Sequence, residues 1–251
     1  MRTIAVSLIS GGLDSCIASA LSKKQGYELY LLSINYGQVM QRELRSAHAV
    51  AAWLEARDHR TLEIRGFGEI SRSARTHDDL VEFDRKAGWA EGYVPSAYPP
   101  GRDFTFLSLA AAWAETVVLE RPEDFEGAKI VIGTNRTDSL DYPDCQPEVY
   151  RMFANLLRHS LKMCKVLGKR IDVEAPLVNL TKQEVVALGH QLGAPLQVTW
   201  SCYQGGELAC GRCDACRIRY HAFEASGLHD SIGYAVETIA PLRLEHTLAA
   251  E

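Results

Sequence analysis

The chain lacks three features that would assign it to a membrane, to export or to a polyanion. No apolar stretch in its 251 residues approaches the roughly 20 that a bilayer span needs. Nothing ahead of the first strand-like run reads as a leader, so neither a signal peptide nor a transit sequence is expected. A basic surplus is missing too. Against 27 Lys and Arg stand 32 Asp and Glu, and the net charge of −5 argues against nucleic acid as the main partner, leaving open only a local basic face. There is no internal repeat or low-complexity tract. A composition 47% hydrophobic and 24% charged fits one globular domain with at most a small appendage. Seven cysteines without a leader point to reduced thiols or metal ligands and to the cytoplasm rather than to disulfides.

What is present begins with Ser10-Gly11-Gly12-Leu13-Asp14-Ser15, at the end of the apolar run Ile4–Ile9 and before a helical pattern from Cys16 to Leu21. A strand, a glycine turn and a helix can hold phosphates: glycines let the backbone approach closely, and the free N–H groups of the helix point at the anion. Ser10 and Ser15 add hydroxyl donors, and Asp14 offers a carboxylate for a phosphate-bound Mg²⁺. No Lys follows the second glycine as a P-loop requires, and the spacing is not that of a dinucleotide fingerprint. An ordinary Gly-Gly turn is the plain alternative, and it leaves the flanking serines and the enclosed acid unexplained.

Further apolar runs at Tyr27–Ile34, Arg60–Ile64, Lys129–Gly133 and Ile171–Ala175 read as strands. Helical patterns at Arg42–Leu54, Phe104–Leu119, Pro147–Leu167 and, after the capping-box signature Thr181–Glu184, on to Leu192 alternate with them. The fold class expected is α/β: a doubly wound, parallel five-stranded sheet with ligands at the carboxyl ends of its strands. The loops after Ile9, Ile34 and Gly133 fall at such ends. Between residues 66 and 101 periodicity is lost, which predicts a lid-like insertion or a disordered excursion. The division expected is an α/β domain over 1–198 and a C-terminal zinc-binding helical extension over 199–251.

Cys202, Cys210, Cys213 and Cys216 are spaced C-x₇-C-x₂-C-x₂-C. Four thiolates so close can close a tetrahedral Zn²⁺ shell, with Gly205, Gly206 and Gly211 supplying the turns. A closed shell leaves no open position, so such a zinc is structural. An iron–sulfur cluster also takes four thiolates, and unliganded cysteines are the third reading. Cys16 and Cys164 read as small buried hydrophobes, whereas Cys145 falls in a crevice loop and is a candidate reactive thiol.

The Ser-Gly-Gly-x-Asp-Ser loop resembles that of the N-type ATP pyrophosphatases, which cleave ATP between the α and β phosphates to adenylate a substrate. Three further stretches are similar to one branch of them, the 7-cyano-7-deazaguanine synthases of queuosine precursor synthesis. They are Tyr98-Pro99-Pro100-Gly101-Arg102-Asp103 through Ala110, Gly133-Thr134-Asn135-Arg136-Thr137-Asp138 through Cys145, and Thr199-Trp200-Ser201-Cys202-Tyr203 with the remaining cysteines. The resemblance covers nearly the whole chain. Position 103 departs from it, since the family usually has Asn there and this chain has Asp.

The resemblance implies an adenine nucleotide alpha hydrolase-like fold, ATP with Mg²⁺ as co-substrate, one zinc held by the four cysteines, and a homodimer. It also implies ATP-dependent conversion of 7-carboxy-7-deazaguanine and ammonia to the nitrile. Ser10, Gly11, Gly12, Leu13 and Ser15 are then assigned to the nucleotide, with Asp14 organising phosphate or Mg²⁺. Leu8, Ile9 and the Asn35-Tyr36-Gly37 loop are assigned to the adenosine side. Asp14, Ser15 and Arg102 are the expected catalytic residues. Arg102 is the candidate for the acid or the α-phosphate, because a guanidinium pairs bidentately with either. Asp138 and Asp144 are candidates for the amino edge of a guanine-like base, while Asp141 suits turn duty. Tyr36, Tyr98 and Tyr142 could stack on a ring or simply pack.

Four other readings compete. A family member that adenylates a different acid or a macromolecular target is favoured by Asp103. A tRNA-thiolating pyrophosphatase is disfavoured by the acidic charge. A regulatory nucleotide-binding module leaves the intact loop idle, and a zinc-ribbon interaction protein leaves it unexplained.

Overall fold

The computed structural model describes residues 2–84 and 94–240. The central segment of the predicted insertion and residues 241–251 of the predicted extension therefore lie outside the described residues. Five strands, β1 (Arg2–Leu8), β2 (Glu28–Asn35), β3 (Asp58–Glu63), β4 (Phe125–Val131) and β5 (Arg170–Glu174), form one sheet in the order β3-β2-β1-β4-β5. Every pairing is parallel, with Ile4 opposite Glu28 on one side of β1 and opposite Ala128 on the other. The chain winds outward from β1 to β3, then crosses back to lay β4 against β1. That reversal places the switch point, and the ligand crevice it opens, between the ends of β1 and β4.

Strand alternation decides which helices cover which face. Ile4, Val6, Leu32 and Ile130 point to the side of α4 (Arg102–Glu120), α6 (Pro147–Ser160) and α7 (Lys162–Lys165), where Leu107, Ala114, Tyr150 and Met163 complete the core. Ala5, Leu31 and Val131 point to α1 (Leu13–Lys24), α2 (Arg42–Leu54), α8 (Lys182–Gln191) and α9 (Asp214–Ala225). Both faces are covered, which is why β1 and β2 read as near-continuous apolar runs.

The long helix expected over 147–167 is instead two helices. Leu161 is extended (φ −82°, ψ 139°), and α7 restarts after it. The buried face of α6 runs Tyr150, Ala154, Leu157, and a continuous helix would carry Met163 away from it. The break buries Met163 completely, and its freed N–H donates to Glu115 Oε1 at 3.0 Å. The 66–101 segment also differs from a solvated excursion. It holds the single turn α3 (Phe67–Ile70) and buries Phe67, Ser71, Ser73, Ala74, Val81 and Ala97. Periodicity is lost there because hydroxyl-capped turns carry the chain, as where Thr76 Oγ1 donates to the Ser73 carbonyl at 3.1 Å.

Candidate active site

β1 ends at Leu8, and Gly11 turns the chain with φ +86° into α1. A Cβ on Gly11 would sit 2.1 Å from the Glu43 carbonyl and 2.6 Å from the Ala47 nitrogen, so only glycine lets the loop lie on the start of α2. Gly12 caps α1 without a side chain, leaving first-turn N–H groups open to an anion. Ser10 Oγ and Ser15 Oγ meet at 3.1 Å, and Gly12 N–H donates to Ser10 Oγ at 3.2 Å. Gly133, leaving β4, packs so tightly on this turn that a Cβ there would lie 2.6 Å from the Ser15 nitrogen.

Asp14 projects from this turn with its two oxygens in different states. Oδ2 accepts from Lys182 Nζ at the first position of α8, while Oδ1 is buried with no hydrogen-bond partner. Asp138, in α5 (Arg136–Asp141), lies near enough to feel its charge. Burial first, and the Asp14 carboxylate second, push Asp138 up to about 6 against the pull of Lys182. Asp138 also closes a capping box, its Oδ2 accepting Asn135 N–H at 3.1 Å.

One cavity of about 250 Å³ joins the phosphate loop to a polar cleft. Leu8, Ile9, Leu13 and Tyr36 line it, and so do Arg102, Asp138 and Asp144. Gly11, Asn35 and Gly37 are not in its wall; Asn35 Oδ1 accepts Gly37 N–H at 3.3 Å and shapes the turn after β2. Arg102 opens α4 behind Gly101 and donates Nε–H to Asp103 Oδ1 at 2.8 Å. Burial weighs against its charge, but the Asp103 carboxylate and the Tyr36 phenol hold it firmly protonated. Asp144 Oδ1 is buried without a partner, and burial followed by the nearby Asp103 charge raises its carboxyl. Tyr98 and Tyr142 stack on each other, centroids 5.6 Å apart and 14° from parallel, and so form one wall.

Beside the cavity, the four sulfurs of Cys202, Cys210, Cys213 and Cys216 lie within 4.8 Å of one another. Cys210 Sγ and Cys216 Sγ are 3.8 Å apart, the edge of a tetrahedron whose centre is about 2.3 Å from each corner. Backbone N–H groups of Gln204 and Cys210 point at Cys202 Sγ, each at 3.3 Å, and those of Arg212 and Cys213 point at Cys210 Sγ. Such donors suit thiolates. The donor set and spacing fit a closed four-sulfur metal site. Trp200 N–H donates to the Gly11 carbonyl at 2.9 Å, tying this cluster to the phosphate turn.

The sequence model of the family described as queuosine biosynthesis protein QueC matches residues 4–227. The chain belongs to the QueC family. The 7-cyano-7-deazaguanine synthase of Oceanobacillus iheyensis is 39% identical to it over 230 residues, covering 92% of this chain and 97% of that one. A protein of the same name from Desulfitobacterium hafniense is 40% identical over 92% of both chains. The one from a Nostoc species is 39% identical over 92% of this chain and 97% of its own. The QueC match spans the phosphate turn, the start of α4, α5 and all four clustered cysteines.

Three residues of this QueC family site escape a reading of motifs. Lys182 reads as capping-box sequence, although its amine reaches Asp14. Arg75 sits in the aperiodic segment and lines the cavity with its guanidinium over the Tyr203 ring, 5.2 Å from the centroid. Glu43 reads as one more charge on a surface helix. Its spacing is the missed signal: Glu43, Ala47, Val50 and Leu54 share the buried face of α2. Cys145 departs from the expected reactive thiol. It is buried with Sγ 3.4 Å from Asp103 Oδ2, and burial followed by the Asp103 charge pushes the thiol well up, away from the thiolate that reactivity needs.

Burial pushes the Glu43 carboxyl up to about 7, against Arg75 and Arg102. Unfolded, the same group ionises near 4.5. Between those values the folded chain keeps a proton that the unfolded chain has lost, so stability falls as pH rises from about 4.5 to about 7 and is flat above. The contribution is about 3 kcal/mol at about 1.4 kcal/mol per pH unit. Glu43→Gln, which has no proton to lose, should flatten that part of the profile. Urea midpoints from pH 5 to 8 for both proteins check this, and parallel profiles would remove the buried-carboxyl assignment.

Proposed function

We propose that the chain is an ATP-dependent 7-cyano-7-deazaguanine synthase. One observation carries the reading: a phosphate turn with an unpartnered Asp14 oxygen opens into the same cavity as Arg102, Asp138, Asp144 and the stacked tyrosines. The relatives that bear this name, at about 40% identity, support the substrate class.

A heterocyclic carboxylate does not accept ammonia, because its carbonyl carbon is electron-rich and oxide is a poor leaving group. Attack of a carboxylate oxygen on the α-phosphorus of ATP forms an acyl–O–P bond and expels pyrophosphate. Ammonia then displaces AMP and gives the amide. A second ATP activates the amide oxygen in the same way, and loss of AMP with the amide protons leaves the nitrile. The chain contributes position and fixed charge. Ser10, Gly12, Ser15 and the first-turn N–H groups of α1 face the pyrophosphate, with Lys182 beside it. Asp14 Oδ1 would hold the Mg²⁺ of Mg-ATP, supplying charge neutralisation to the phosphates. Leu8, Ile9 and Tyr36 form the adenosine side. Arg102 faces the acid or the transferred phosphate, and Asp138 and Asp144 accept the amino edge of the base.

The metal of the four-cysteine cluster is zinc in this reading, and its role is structural. The extension that carries it begins near residue 199. Free thiols and a thiolate cluster suit a reducing cytoplasm. Among the described residues no helix is long and apolar enough to cross a membrane. A homodimer is supported by Met152 and Leu156, 70% and 59% exposed one turn apart on α6.

Incubation with radiolabelled ATP, 7-carboxy-7-deazaguanine and ammonium tests the reaction. Two AMP and two pyrophosphate per nitrile are expected. AMP released only with some other acid would favour the divergent member that Asp103 suggests, and no AMP with any acid would sink the enzyme reading.

A further inference from the structure

Arg75 is the cavity's unspent cation. Lys182 is paired with Asp14, and Arg102 donates its Nε–H to the neighbouring Asp103. Arg75 makes no ion pair among the described residues. Its side chain is half-buried, yet its Nε is fully buried with no hydrogen-bond partner. A buried guanidinium N–H left unmade costs free energy in the empty protein, and a ligand oxygen placed there removes that cost.

The segment around it is fixed rather than loose. Arg75 N–H donates to Ser73 Oγ at 3.3 Å, and its carbonyl accepts Val39 N–H at 3.0 Å. The guanidinium lies over the Tyr203 ring, its carbon 5.2 Å from the centroid, and the residue lines the cavity. Burial raises the nearby Glu43 carboxyl and so weakens its compensation of that charge. A planar guanidinium matches two coplanar oxygens.

We propose that Arg75 is the residue that receives the carboxylate of the heterocyclic acid. The proposal rests on the synthase reading and divides the anions of that reaction. The phosphates of ATP take the turn between Ser10 and Ser15 with Lys182, and the acid takes Arg75. A neutral substrate has no such claim on it. The amide that forms half-way through the reaction carries the same ring without the charge, so Arg75 distinguishes the first activation from the second.

Titration calorimetry of the full-length protein with three ligands tests this: the free 7-carboxylate, the neutral 7-carboxamide and Mg-ATP. Arg75→Gln should weaken the acid roughly 10- to 150-fold, the range for losing a charge-assisted hydrogen bond. The carboxamide and Mg-ATP should move less than about threefold, and the Mg-ATP value also shows that the variant is folded. Arg75→Lys should recover only part of the loss, since it keeps the charge without the fork. Equal weakening of acid and carboxamide would show that Arg75 reads the ring or packs the cavity. Weakening of Mg-ATP alone would place a phosphate there, and an unchanged acid affinity would remove Arg75 from the site; each of these overturns the proposal. Wild type that binds Mg-ATP but neither deazapurine overturns the synthase reading itself, and the role of Arg75 with it.

Discussion

Cys213→Ser is expected to reach solution, if at all, as a protein that melts far below wild type and has lost its ATP affinity. Metal held by four thiolates contributes folding energy directly, on the order of 10 kcal/mol in small zinc domains, against a total stability of about 5–15 kcal/mol for an ordinary domain. Removing one ligand forfeits part of that and leaves three thiolates without their counter-charge in a buried site. The damage should not stay local. Trp200, buried two residues before Cys202, donates its N–H to Gly11, and Arg42 stacks over its ring at 3.9 Å. Further along, Arg219 in α9 is fully buried and pairs with Asp230 at 2.8 Å while donating to Thr199 Oγ1, also at 2.8 Å. These contacts transmit the order of the cysteine loop to the phosphate turn. Elemental analysis should find about one zinc per chain and no sulfide. Stoichiometric iron, or a melting curve for the variant that overlays wild type, would overturn the structural-zinc reading.

The parts of this site legible in the sequence are those whose chemistry is local. Ser10 to Ser15 announce a phosphate turn because glycine, hydroxyl and acid occur within six positions, and the cysteine spacing announces a metal for the same reason. Strand and helix periodicity is equally local, and their alternation implies a parallel sheet covered on both faces, whereas the order β3-β2-β1-β4-β5 depends on long-range pairing. Lys182, Arg75 and Glu43 are different. Each acquires its role from a partner far along the chain: Lys182 from Asp14 across 168 positions, and Arg75 from Tyr203. Nothing in the neighbouring residues of Arg75 separates it from an exposed arginine. Glu43 is the intermediate case, since a charged residue on the apolar stripe of α2 is visible to periodicity alone. The break at Leu161 was hidden for a related reason. Both halves of that stretch are helical by propensity, and only the demand to bury Met163 separates them.

Asp14→Ala should leave a folded protein with no measurable AMP formation. The folding half of that expectation follows from position. Asp14 lies in the first turn of α1 with its carboxylate facing the cavity, and its one ion pair, with Lys182, is partly exposed. Losing a partly buried, charge-assisted pair costs on the order of 1–3 kcal/mol, which lowers the melting temperature but lies within the stability of an ordinary domain. The catalytic half follows from what replaces the carboxylate. With Asp14 gone, Lys182 loses its ion-pair partner, and the oxygen that would hold Mg²⁺ against the phosphates is missing. Fixed charge at a phosphoryl-transfer site is commonly worth about 10³-fold or more in rate. Asp14→Asn sharpens the test, because it keeps an acceptor for Lys182 and removes only the charge. It should be nearly as inactive as the alanine variant. A second readout does not depend on turnover at all. Asp138 is held up to about 6 by burial and by the Asp14 charge, with Lys182 opposing. Removing Asp14 deletes the raising charge and strengthens the lowering one, so Asp138 should ionise at lower pH in both variants. Carboxyl-carbon NMR across pH 4 to 8 follows that shift directly. Retained AMP formation in folded Asp14→Ala would refute the assignment of this carboxylate to the phosphates. An unmoved Asp138 would show that the two acids do not share one field.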